Sequence, residues 1–242
     1  MKISSEKIFA FPGMGSFGTE FAHLLKEFRP NIKVVRYSQS CECTTDGEAL
    51  LKQYLSFCIE QITAAGCTQV ILLGHSFGAY LAYQCAVILG QSNITVKQLI
   101  VVGANSPLAC KVPAPLPTCD SEVEAYFNAL DPQLLSKIQD EEWKQLMIER
   151  TKYDFLVLQE FYQQTHKHVE CPIIAWMSKA DSLTDAEGTQ DWGKYTVEEF
   201  SLYVVDGGHF DLPAHPEIRR CIEKIVTTSS DENEKLMVSK IS

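Results

Sequence analysis

Short apolar runs alternate with stretches of helical spacing along most of this chain. Lys7–Phe11 (KIFAF), Lys33–Tyr37, Val70–Leu73, Leu99–Val102, Ile173–Met177 and Leu202–Val205 are brief and apolar, and each reads as a strand. Helices are predicted from the Pro12-Gly13-Met14-Gly15 turn to about Phe28, over Asp46 to Ala65, over Phe77 to Leu89 and over Glu217–Val226. The second carries apolar residues at Leu50, Leu51, Tyr54, Leu55, Cys58, Ile59 and Ile62, and Gly66 stops it. The alternation predicts an α/β fold, a mostly parallel sheet with helices on both faces.

The rhythm breaks between residues 106 and 164. Ser106 to Pro117 carries four prolines and no strand pattern, and Ser121 to Gln164 is helical except at Asp131-Pro132. We read about 107–164 as a helical insertion forming a lid over one end of the sheet. The plainer alternative makes these helices one layer of the sandwich. Residues 1–226 then form a single domain, and 227–242 a loosely ordered C-terminal tail.

Composition narrows the function classes. The chain has 242 residues, 45% apolar and 21% charged, enough for one substantial core and unlike a disordered or collagenous chain. No apolar run is long enough for a transmembrane helix, and the first eleven residues lack the apolar stretch of a secretory signal. A cytoplasmic location follows as an expectation, and the nine scattered cysteines read as reduced thiols. A formal charge of −10 argues against a nucleic-acid surface and weakly against an anionic membrane. A monomer is the default expectation.

The strongest chemical signal is Gly74-His75-Ser76-Phe77-Gly78 between an apolar strand and an apolar helix. It fits G-x-S-x-G, the nucleophile elbow of the α/β-hydrolase fold. Such a turn lifts the Ser76 hydroxyl above the sheet edge. It also puts the Phe77 backbone N–H at a helix N-terminus, where it can hold a developing oxyanion. The serine needs a base, and His209 follows the last strand in Val205-Asp206-Gly207-Gly208-His209-Phe210. His75 is set aside as pointing elsewhere on the turn, His166 and His168 as surface residues. The orienting carboxylate is expected after the preceding strand. Asp181 is favoured, with Asp185 its nearest competitor; Asp206 and Asp211 lie too near His209, and Asp154 lies inside a long helix. The second oxyanion donor is assigned to the backbone N–H of Met14, in the loop after the first strand.

With these residues placed, the chain resembles the type II thioesterases, stand-alone editing enzymes of nonribosomal-peptide and polyketide synthases. Phe11-Pro12 and its glycine-rich loop are similar to the family's F-P-x-A-G-G, and Gly74-His75-Ser76-Phe77-Gly78-Ala79 to its G-H-S-M-G-A. Tyr153-Asp154-Phe155 resembles an aspartate–aromatic segment of the family, and Gly207-Gly208-His209-Phe210 its G-G-H-F ending. The resemblance runs from Lys7 to about Leu212. Met14 and Ser16 stand where the family usually has alanine and glycine, and its L-P-G-R segment is replaced by Arg36-Tyr37-Ser38-Gln39-Ser40.

The resemblance implies an α/β-hydrolase fold with Ser76 as nucleophile, His209 as base and Asp181 as orienter. It implies an acyl group delivered on the phosphopantetheine arm of an acyl or peptidyl carrier protein, with no metal and no cofactor of the enzyme's own. Carrier proteins are typically acidic, as this chain is, so docking calls for a local patch; Lys137 and Lys144 on the lid are candidates. The rival readings are a fatty-acid chain-releasing thioesterase, a generic esterase of the same fold, and a catalytically silent binding protein. Cys41-x-Cys43 lacks metal-site spacing and reads as loop thiols. The run Trp143, Tyr153, Phe155, Phe161, Tyr162 follows helical spacing and reads as packing.

Overall fold

A computed structural model of the chain describes residues 6–29, 31–37 and 46–238, with only the backbone from residue 228 onward. Cys41-x-Cys43 and Ser38-Gln39-Ser40 lie outside the described residues. Six strands are formed: β1 (Glu6–Phe11), β2 (Ile32–Val34), β3 (Gln69–His75), β4 (Thr95–Val102), β5 (Ile173–Ser178) and β6 (Phe200–Val205). They make one sheet in the order β2-β1-β3-β4-β5-β6, every pairing parallel. The carboxyl ends of all six strands therefore meet one edge, where open α/β sheets place their sites.

Side-chain alternation builds a core on each face. Phe9, Phe11, Leu72, Leu99, Val101 and Ala175 face one way, under α2 (Gly47–Thr63) and α3 (Phe77–Leu89). Ile8, Ala10, Ile71, Leu73, Ile100 and Trp176 face the other way, under α1 (Ala22–Phe28) and α7 (Pro216–Val238). Asp46 caps α2 by accepting from the N–H groups of Glu48 and Ala49, a contribution of about 1 kcal/mol. The lid helices are α4 (Asp120–Leu130) and α5 (Glu141–Gln163), joined by a 3₁₀ turn at Leu135–Lys137.

The helix α5 is both lid and layer. Its N-terminal two-thirds place Met147, Ile148 and Phe155 in a small core with Val123 and Phe127 of α4. The remainder sends Val157, Leu158 and Phe161 into the main core, beside α2. The helix thus packs with α4 over one stretch and in the main core over the next.

Several boundaries differ from the sequence reading. The second strand was expected to reach Tyr37 but ends at Val34, because Tyr37 turns inward to stack on Tyr54 and donate its hydroxyl to Pro12 O at 2.7 Å. The last helix was expected to end near Val226, yet residues 227–238 continue it. Thr227 is absorbed by donating its hydroxyl to the Glu223 and Lys224 carbonyls. His166, expected at the surface, is half-buried against Phe161 at 4.5 Å between ring centroids. A short helix, α6 (Ala186–Gln190), occupies the loop between β5 and β6.

Candidate active site

Ser76 follows the last residue of β3 and precedes the first of α3. Its φ of 52° makes it the one non-glycine residue with positive φ among the described residues, a strain of about 1–3 kcal/mol. The neighbouring glycines permit this turn. A Cβ on Gly78 would collide with the Phe11 and Pro12 carbonyls, and one on Gly74 with the backbone of Gly78 and Ala79. The Ser76 N–H remains tied to the sheet by a 2.8 Å bond to Val102 O.

His209 stands in the loop after β6 and reaches Ser76. Its Nε2 lies 3.0 Å from Ser76 Oγ, and its Nδ1 lies 2.7 Å from Asp181 Oδ2. The other Asp181 oxygen, Oδ1, accepts from Leu183 N at 2.8 Å. Asp181 and His209 are each 7% exposed, so the pair is shielded from bulk water. Gly103 (φ 64°) makes room for the imidazole: a Cβ there would sit 3.3 Å from His209 Cε1. Ser178, ending β5, donates its hydroxyl to Gly207 O and ties the histidine loop to the neighbouring strand.

The competing aspartates have other partners. Asp185 caps α6 through Gly188 N at 2.8 Å and accepts from Asn105 Nδ2 at 3.2 Å. Asp206 pairs with Lys179 at 3.0 Å, and Asp211 accepts from Gly208 N at 3.1 Å. The acid brought to His209 is therefore Asp181, as favoured from the sequence.

Burial lowers the His209 pKa below its ordinary 6.5, outweighing the raising effect of the Asp181 hydrogen bond. Burial pushes the Asp181 carboxyl up, but the His209 hydrogen bond, its charge and the Leu183 N–H outweigh this and hold it low. The resting pair is a carboxylate and a neutral imidazole, the state a general base requires. We expect kcat/KM for an activated acyl substrate to rise with pH along one acid limb, its midpoint below 6.5. A pH–rate profile with its midpoint above that value would contradict a neutral resting His209.

The loop after β1 comes up beside the serine. Gly13 N donates to Glu20 Oε1 at 2.9 Å, Gly15 N to Asp154 Oδ2 at 2.8 Å, and Ser16 N to Gly13 O at 3.1 Å. No acceptor among the described residues takes the Met14 N–H. The Phe77 N–H, first in α3, likewise has no intrahelical acceptor. Both remain available to an incoming oxygen. A cavity of about 370 Å³ begins at Ser76 and His209 and runs under the lid. Its walls are largely apolar, with Phe17, Phe127, Leu134, Trp143 and Met147 among them. Lys137 lines it too and lies 3.6 Å from Asp131, while Lys144 lies 3.3 Å from Glu124.

The sequence reading passed over three residues here. His75 does not simply point away: it is buried, and its Nε2 donates to His209 O at 3.2 Å. Glu20 drew no notice. Asp154 was set aside as helical, though it lies on the buried face shared by Met147, Thr151 and Leu158. A lone acid at that apolar spacing was the available signal.

The arrangement suits acyl transfer to Ser76 Oγ, with two N–H groups available for the oxyanion and a greasy channel for the acyl chain. Comparison with known proteins points the same way. A family model described as "Thioesterase domain" matches residues 6–226. Phenyloxazoline synthase MbtB of Mycobacterium tuberculosis is 27% identical over 219 residues, covering 86% of this chain but 15% of MbtB. The chain thus spans a small part of that relative. Thioesterase TesA of Mycobacterium marinum is 24% identical over 231 residues, 92% of this chain and 91% of its own. Gramicidin S biosynthesis protein GrsT of Aneurinibacillus migulanus is 27% identical over 164 residues, 67% of this chain and 64% of its own. Among solved structures, RedJ, a thioesterase of the prodiginine pathway in Streptomyces coelicolor, superposes with a TM-score of 0.76 at 20% identity, covering 92% of this chain and 85% of its own.

Proposed function

The chain belongs to the thioesterase-domain family, and from that premise we propose that it is a serine thioesterase acting on acyl groups carried by the phosphopantetheine arm of carrier proteins. The observation that carries this is the hydrogen-bonded chain Ser76–His209–Asp181 at the mouth of the apolar cavity. Its setting is nonribosomal-peptide or polyketide synthesis, where it removes stalled acyl groups or releases product. The printed names of the relatives support this, GrsT being a gramicidin S biosynthesis protein.

In this scheme Ser76 Oγ attacks the thioester carbonyl as His209 Nε2 takes its proton. The tetrahedral oxyanion is held by the N–H groups of Phe77 and Met14, each such donor contributing about 3–4 kcal/mol to the transition state. The C–S bond breaks, the pantetheine sulfur leaves with the proton from His209, and an acyl-serine remains. His209 then draws a proton from water, whose oxygen attacks the ester and frees the acid. Asp181 keeps the imidazole in the tautomer that can accept from Ser76 and stabilises its cation. No step calls on a bound metal or cofactor of the enzyme; the pantetheine arrives with the substrate.

The test is turnover of one acyl chain offered three ways: on a carrier protein, as a free pantetheine thioester, and as an oxygen ester. The carrier-bound thioester should be cleaved with the highest kcat/KM. Cleavage of the oxygen ester alone would leave a generic esterase and overturn the proposal. A strong preference for long chains on a fatty-acid carrier would replace editing with chain release.

A further inference from the structure

Two carboxylates, one half-buried and one fully buried, flank Met14, and the proposed mechanism gives neither a task. Glu20 is 13% exposed at its side chain, and Asp154 is fully buried. Glu20 Oε1 accepts from Gly13 N, and its Oε2 accepts from the Ser16 hydroxyl. Asp154 Oδ2 accepts from Gly15 N, and its Oδ1 accepts from the Tyr54 hydroxyl at 3.0 Å. One acid thus holds the N–H before Met14 and the other the N–H after it. Arg150, 3.7 Å from Asp154, lies over the Tyr37 ring at 4.7 Å, and the Tyr37 hydroxyl holds the Pro12 carbonyl. The free N–H of the segment is left between two that are fixed.

We propose that Glu20 and Asp154 are positioning residues that clamp Gly13 and Gly15 so that the Met14 N–H is held ready for the oxyanion. The inference rests on the reading of Met14 as a donor. Burying an acid is costly unless its oxygens are hydrogen-bonded, and here each oxygen has a partner. Their negative charge by itself opposes an oxyanion; what they contribute is geometry. A glycine-rich loop without them samples many conformations, and a donor displaced by about 1 Å loses about 100-fold in rate. Glu20 and Asp154 come from separate elements, the turn before α1 and the lid helix α5. The donor is therefore referenced to both.

The test uses the full chain with Glu20→Met and Asp154→Leu, each removing both acceptances while keeping bulk. Each variant should lower kcat about 10–100-fold with KM within about twofold. Affinity for an acyl trifluoromethyl ketone, whose tetrahedral adduct places an oxygen at both donors, should fall by the same factor. Binding of the intact thioester to the same variants in a Ser76→Ala background should not move. A purely structural role would instead shift thioester binding and melting temperature and spare the ratio of adduct to ground-state affinity; that result overturns the proposal, as does unchanged or tighter adduct binding. If Asp154→Leu does not fold, Glu20→Met alone decides between these outcomes. Replacing Met14 by its α-hydroxy analogue converts its N–H to an ester oxygen and tests the underlying reading separately. Loss of adduct affinity there, but not in the two variants, refutes the clamp and keeps Met14 as donor. No loss there refutes Met14 itself.

Discussion

Ser76→Ala should lower thioester hydrolysis by about 10⁴–10⁶-fold while leaving the fold intact. In the proposed scheme this hydroxyl forms the acyl-enzyme, and His209 Nε2 lies 3.0 Å from it. Alanine keeps the Cβ, so the backbone at φ 52° carries the same strain before and after. The thermal transition should therefore stay within a few degrees of the parent. The residual rate is what positioning and the two N–H donors supply to direct attack by water. Turnover of the carrier-bound thioester and mass-spectrometric detection of the acyl-serine check both halves. A variant keeping more than a tenth of parental kcat would show that Ser76 is not the nucleophile.

Asp181→Asn should cost about 10³–10⁴-fold in kcat with little change in KM. The direction follows from how the two oxygens are used. Oδ1 accepts from Leu183 N at 2.8 Å and Oδ2 faces His209 Nδ1 at 2.7 Å. An asparagine must keep its oxygen on the Leu183 N–H, which can only donate. Its NH₂ then faces Nδ1 and forces the proton onto Nε2. That tautomer cannot accept from Ser76 Oγ, so the base is disabled without moving an atom of the substrate site. Kinetics on one acyl-carrier substrate read the effect directly. A loss of less than tenfold, or one carried by KM, would return the orienting role to open question.

Much of the frame was legible in the residues because its signals are local. The turn at Ser76, the helix Phe77–Leu89 and the run of strands each announce themselves within a dozen residues. Asp181 and His209 could be placed beside Ser76 because a parallel sheet sends every strand end to one edge, so position after a strand stands in for position in space. Glu20 went unnoticed, and Asp154 was seen only as part of the Tyr153-Asp154-Phe155 resemblance and as a helical acid, because their partners are backbone N–H groups, which carry no residue identity, and for Asp154 the partner lies 139 positions away. His75 does point away from the Ser76 hydroxyl, but its partner, the carbonyl of His209, could not be read from its neighbours in sequence. The early end of β2 follows from Tyr37 turning into the core, and the long last helix from a polar stretch that still satisfies helical backbone bonds.

The helix α5 belongs partly to the sandwich and partly to the roof, and this divides the molecule into parts that tolerate change differently. Val157, Leu158 and Phe161 anchor it in the main core, and Asp154 ties it to the oxyanion loop. The helix α4 packs instead mainly on α5 and the Leu135–Lys137 turn, and gives Tyr126, Phe127 and Leu130 to the cavity. Its buried residues, Val123 and Phe127, lie in the small core with α5 and not in the main one. Bulk added or removed on α4 would retune the acyl length the enzyme accepts, whereas the same volume changed on α5 would travel into the chemistry. A library aimed at new chain lengths belongs on residues 120–130, with the neighbouring helix held constant.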